Sequence, residues 1–119
     1  MRIREVLFRL YVEPEKLEQQ ILFYETVLGQ RVSLRFRYPE LRLELAKIGP
    51  LLLIAGKEEH LSRVRATALT CLVDEIQDAK ESLISKGAEL LEDIKPVPTG
   101  WNMRVRHPDG TIVEYVQWR

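Results

Sequence analysis

A single cysteine, Cys71, stands in 119 residues, so no internal disulfide can form, and a reducing cytoplasm is the expected location. Charge of neither sign dominates, because 18 Lys and Arg balance 18 Asp and Glu. That neutrality argues against nonspecific nucleic-acid binding, which needs a positive excess to displace counterions. Long apolar runs are missing too. Pro50–Ala55, the longest near the middle, is far too short to span a bilayer, so no membrane partner is expected. The opening Met1-Arg2-Ile3-Arg4-Glu5 puts charges where a signal peptide would be apolar, and no small-residue cleavage site follows. What is present is ordinary globular composition, 45% hydrophobic and 30% charged, enough for one domain with a real core.

The strongest local signal is His107–Gln117. Pro108-Asp109-Gly110 reads as a turn: proline presets φ, aspartate bonds nearby backbone, and glycine takes the left-handed position. Strand patterns at Trp101–Arg106 and Thr111–Gln117 flank it, which predicts a hairpin. Upstream, Ile3–Val12 reads as a strand. Pro14 then opens a helix whose stripe is Leu17, Ile21, Tyr24 and Leu28, widened by Leu22 and Phe23 and ended at Gly29. Arg31–Arg37 alternates strictly between arginine or serine and apolar residues, Leu41–Leu45 alternates again, and Leu51–Ile54 is apolar on both faces. Charged Gly56–Arg65 reads as a linker with a helical turn. The pattern then restarts with a strand at Ala66–Val73 and a helix capped by Asp74 carrying Ile76, Ala79, Leu83 and Ile84. It continues through a strand at Ala88–Ile94, broken by Pro96 and Pro98, to the hairpin.

The order strand, helix, three strands therefore occurs twice, in modules of about 1–56 and 66–119 joined by a linker of about 57–65. One helix covers one face of each four-stranded set, so the other face must curl around something or meet a partner. The expected class is α+β, two βαβββ modules forming a curved mixed sheet with a concave cavity. Four stretches, in this order, resemble the vicinal oxygen chelate superfamily, which includes glyoxalase, extradiol dioxygenases, fosfomycin-resistance transferases and bleomycin-resistance proteins. They are Leu22-Phe23-Tyr24-Glu25-Thr26-Val27-Leu28-Gly29, Leu72-Val73-Asp74, Leu83-Ile84-Ser85-Lys86-Gly87, and His107-Pro108-Asp109-Gly110 followed by Glu114.

The resemblance implies a metal held by a histidine or glutamine on the first strand of each module and carboxylates on the last strands. The matching first-strand positions here are Leu7 and Ala68, neither of which ligates, and Leu51–Ile54 offers no carboxylate. Only Glu114 matches, so no cofactor is expected; a divalent metal, if used, would have Glu114 as its one identifiable ligand. His60 and His107 read as solvated or capping residues, and Cys71 as a core thiol in phase with Leu69 and Val73.

The expected ligand-binding residues are Leu7, Arg9 and Tyr11 on the first strand, Ala68 and Thr70 on the fifth, Arg104 on the seventh and Glu114 on the last. On the seventh strand either Asn102, Arg104 and Arg106 or Trp101 and Met103 face the cavity. Arg35 and Arg37 join them if their strand turns its polar face inward; otherwise they form a solvated face or a dimer contact. Arg9 and Glu114 form either a structural ion pair or a ligand-binding pair. The leading expectation is a metal-free protein that binds a small organic molecule, as the bleomycin-resistance branch does. The rivals are a metal-dependent lyase, isomerase or dioxygenase using Glu114, and a structural or regulatory dimer with a self-filled cavity. A homodimer is expected, partly because the apolar Leu51–Ile54 strand needs cover on both faces.

Overall fold

The order of elements follows the two periodicities of the sequence. The computed structural model describes residues Met1–Arg119 and contains eight strands, three α-helices and two short 3-10 turns. It divides into two units, Phe8–Ala66 and Met1–Leu7 with Thr67–Arg119. The first strand, β1 (Ile3–Val12), runs from one into the other.

In the Phe8–Ala66 unit the strand order is β2 (Leu34–Tyr38), β3 (Leu43–Ile48), β4 (Leu51–Ala55), then β1. β1 and β4 are parallel; the other pairs are antiparallel. A 3-10 turn at Pro14–Lys16 leads into α1 (Leu17–Leu28), which ends at Gly29 with φ +64°. The helix buries Leu17 and Ile21 against Val12, Ala46, Ile48, Leu53 and Ala55. Its apolar stripe is narrower than the sequence suggests: Leu22 and Phe23 point outward and stay exposed. β2 begins at Leu34 rather than Arg31, because the Val32 N–H is taken by the Glu25 carboxylate at 2.8 Å instead of a strand neighbour. The charged segment forms α2 (Glu58–Leu61), anchored by fully buried Leu61.

In the second unit the order is β1, β5 (Thr67–Val73), β8 (Ile112–Trp118), β7 (Gly100–Arg106), β6 (Glu89–Val97). The same logic recurs: β5 and β8 are parallel, and β7 pairs antiparallel with β8 and β6. α3 (Ile76–Ser85) packs Ile76, Ala79 and Leu83 on Cys71, Val73, Met103, Val105, Val113 and Tyr115. Asp74 is not its cap. The Ile76 N–H is bonded by the Gln117 side chain at 2.8 Å, while Asp74 pairs with Arg2 and Arg4. β6 runs through Pro96 to Val97, where the missing proline N–H is tolerated because β6 is an edge strand. In the hairpin turn Asp109 Oδ1 accepts the Thr111 N–H at 2.9 Å and Gly110 has φ +94°. That hydrogen bond holds the exposed Asp109 carboxyl below its usual range. The fold is thus α+β, two βαβββ modules with mixed strand pairing.

Candidate functional site

On β8 the alternation of side chains decides what Glu114 meets. Val113 and Tyr115 enter the core beneath α3, so Glu114 lies on the opposite sheet face. Its register partners are Thr70 on β5 and Arg104 on β7. The carboxylate accepts the Thr70 hydroxyl at Oε1, 3.0 Å, and the Asn102 amide at Oε2, 2.6 Å. Both donors are almost fully buried, with Thr70 2% and Asn102 9% exposed. Two neutral donors, rather than a cation, therefore hold the charge. Arg104 turns instead to Glu92 on β6; its Nε is 3.1 Å from the carboxylate, but the N–H is not aimed along a hydrogen bond. Leu7 is fully buried, while Ala68 is exposed where the β5 register shifts between Thr67 and Leu69. This unit thus gathers Thr70, Arg104 and Glu114, and adds Asn102.

In the Phe8–Ala66 unit, Arg9 and Tyr11 alternate with Leu10 and Val12 and lie opposite Leu52 and Ile54 of β4. The Tyr11 hydroxyl donates to the Val64 carbonyl at 2.8 Å, which fixes the ring. Two guanidinium groups approach that ring, Arg9 at 5.6 Å and Arg65 at 5.4 Å from its centre. They differ in partners. Arg65 is gripped by both oxygens of Glu58, at 3.1 and 2.6 Å, which raises its own pKa and lowers that of Glu58. Arg9 has a buried Nε with no hydrogen-bond partner. Arg9 and Tyr11 line a pocket of about 740 Å³ that Gln20 and Tyr24 of α1 also reach.

The strand-two arginines are not on this face. Arg35 and Arg37 lie opposite Ala46 and Glu44, on the α1 side, and Arg35 bonds Glu18 of the helix and Glu44 of β3. Neither histidine is a solvated cap. His107 Nε2 is 2.7 Å from the Tyr115 hydroxyl, and the His60 side chain is only 11% exposed. Cys71 is a core thiol as expected, and burial pushes its pKa up, away from the reactive thiolate.

No protein-family model matches the chain, and no curated protein matches it in sequence. Solved structures do match. An uncharacterised protein from Methanosarcina mazei is 44% identical, with a TM-score of 0.92 over 100% of this chain and 95% of that one. Methylmalonyl-CoA epimerase from Mycobacterium tuberculosis is 17% identical, with a TM-score of 0.71 over 98% and 87%. Streptomyces coelicolor methylmalonyl-CoA epimerase, in complex with 2-nitronate-propionyl-CoA, is 16% identical, with a TM-score of 0.70 over 99% and 94%. The chain shares the fold of these epimerases.

Two features of the site were hidden in the sequence. Asn102 was undecided because strand seven could be read in either phase; the signal was the apolar pair Met103 and Val105, which the helix buries. Arg65 and Glu58 sit in a segment with no strand periodicity. Their seven-residue separation brackets α2, whose short turn brings them together.

Proposed function

We propose that this chain is a member of the vicinal oxygen chelate superfamily and binds a small organic molecule through a carboxylate or carbonyl oxygen received by Arg9, without a chelated metal. One observation carries the reading: Arg9 lines a pocket without an ion pair, and of its three guanidinium nitrogens only Nε is shut off from solvent. Its two terminal nitrogens are left to donate side by side to the oxygens of a carboxylate or carbonyl, a charge-assisted contact. Arg65 is already neutralised by Glu58 and Lys16 by Glu13, which leaves Arg9 and Lys57 as the cations of this pocket without an ion pair. The nitronate carried by the ligand of one Streptomyces coelicolor neighbour is an anion of the same chemical kind.

The superfamily's metal chemistry fits these residues poorly. Leu7 and Ala68 have no donor atoms, and both oxygens of Glu114 are engaged by Thr70 and Asn102. No three His, Cys, Asp or Glu side chains gather in a way that could hold an ion. No step is therefore routed through a metal. A homodimer in the cytoplasm belongs to the same proposal. The strand-four argument for a partner falls away, since Leu52 and Ile54 are 5% and 0% exposed in the single chain. Exposed Phe8, Leu22, Phe23 and Val27 of the Phe8–Ala66 unit supply a different one. No helix is long and apolar enough to cross a membrane.

Thermal-shift screening of small carboxylates and acyl esters tests the reading. At a hundredfold excess over Kd a true ligand stabilises by about 2.7 kcal/mol. The shift is expected in wild type and lost in Arg9→Gln; equal shifts in both remove Arg9 from the site. Native mass spectrometry of freshly purified protein reports metal, retained ligand and subunit count together. Near-stoichiometric nickel, zinc or iron that disappears in Glu114→Ala would refute the metal-free reading.

A further inference from the structure

A second pocket of the Phe8–Ala66 unit, about 470 Å³, lies between the Pro39–Leu41 turn and the start of α2. Three cationic side chains line it: Arg37 from β2, Arg42 from the end of the turn, and Lys57 before α2. None of the three has an ion pair. The one acid on the wall, Glu44, already accepts a hydrogen bond from Arg35. Three uncompensated cations around one concavity repel each other unless an anion sits among them.

The three cations are themselves exposed, while Leu43, Ala55 and Gly56 of the same pocket are buried. His60 also lines the pocket; its Nδ1 is shut off from solvent, so the ring reports on the site rather than bonding a ligand through that nitrogen. Arg42 is the only non-glycine residue with positive φ, at +55°. Glycine would hold that backbone at lower cost, so the arginine brings strain with no ion pair inside the chain to offset it. Gly56 lets the chain pass close beneath: a Cβ there would stand 2.6 Å from Leu43 Cδ2.

We infer that this pocket binds the phosphate group of a small molecule. Arg37 and Arg42 supply planar forks for the oxygens and Lys57 a point charge. The pocket shares Pro14, Gly56 and Lys57 with the one that Arg9 lines, but Arg9 is not on its wall, and neither proposal depends on the other.

The experiment follows the His60 ring by proton–nitrogen NMR at fixed pH while potassium phosphate is added, with potassium chloride at matched ionic strength as control. A saturable shift with phosphate alone is expected. Arg42→Gly suits the backbone and should leave the fold intact, yet weaken phosphate about tenfold or more, as one lost charge-assisted contact implies. Arg37→Gln should do the same. Glycerol 3-phosphate run in parallel distinguishes an organic phosphate ester from the free ion by which of the two binds tighter. A shift that chloride reproduces, that never saturates, or that survives unchanged in both variants overturns the assignment.

Discussion

Replacing Glu114 tests whether its charge or its shape matters. Its carboxylate is held only by the Thr70 hydroxyl at 3.0 Å and the Asn102 amide at 2.6 Å. In Glu114→Leu both donors stay buried and lose their acceptor. Each unsatisfied group costs about 1–3 kcal/mol, so the pair costs about 2–6 kcal/mol. The lower half of that range applies, since a hydroxyl rotates to seek another acceptor and an amide does so less freely. Against a total stability of about 5–15 kcal/mol that loss is large. Glu114→Gln behaves differently. Its Oε1 can accept from Asn102, and its amide can donate to the Thr70 oxygen, so both bonds survive and the expected cost is within about 1 kcal/mol. Urea unfolding of the three proteins, with a common m-value, reads the difference. The result that refutes the reasoning is Gln costing as much as Leu. The negative charge would then be required, and its true partner would be a cation rather than two neutral donors. Leucine as stable as wild type would show that the frame carries no stability at all.

Other changes separate clash from strain and burial from charge. A Cβ on Gly100, at φ +154°, would lie 2.0 Å from the Gln117 carbonyl oxygen, so Gly100→Ala is expected to cost about 4 kcal/mol or more. Gly110 at φ +94° has open space around it, so Gly110→Ala should cost only the left-handed penalty, about 1–2 kcal/mol. Equal thermal midpoints for the two variants would contradict the backbone clash. Burial pushes the Tyr115 phenol to about 12, above its ordinary value of 10.0. The folded state therefore holds that proton longer than the unfolded chain does. Its contribution is whole below pH about 10 and lost as pH rises through about 12, so unfolding should set in within that window. Phenolate absorbance that tracks Tyr115 ionising near pH 10 in folded protein would contradict it.

Much of the scaffold was legible because its signals are local. Strict alternation placed Glu114 opposite Val113 and Tyr115, and Cys71 beneath the helix with Val73. Gly29 and Pro108-Asp109-Gly110 stop the chain where their backbone preferences say it must turn. Where periodicity was absent or symmetrical, expectations missed. Arg35 alternates as well facing in as out, and only the pairing of β2 with β3 brings Glu18 and Glu44 to it. Pro96 ends a strand by local rules, yet stays within β6 because that strand has a free edge.

The amino-acid sequence by itself determined the repeated βαβββ order and which residues of a strand share a face, since both follow from steric periods of a few residues. Tertiary structure alone decided the partners of the polar side chains. Gln117 caps a helix 41 residues away, Thr70 meets Glu114 across 44, and Arg9 is left with a buried, unpaired Nε. Such pairings depend on which strands lie side by side, and no local pattern records what a distant strand will bring opposite.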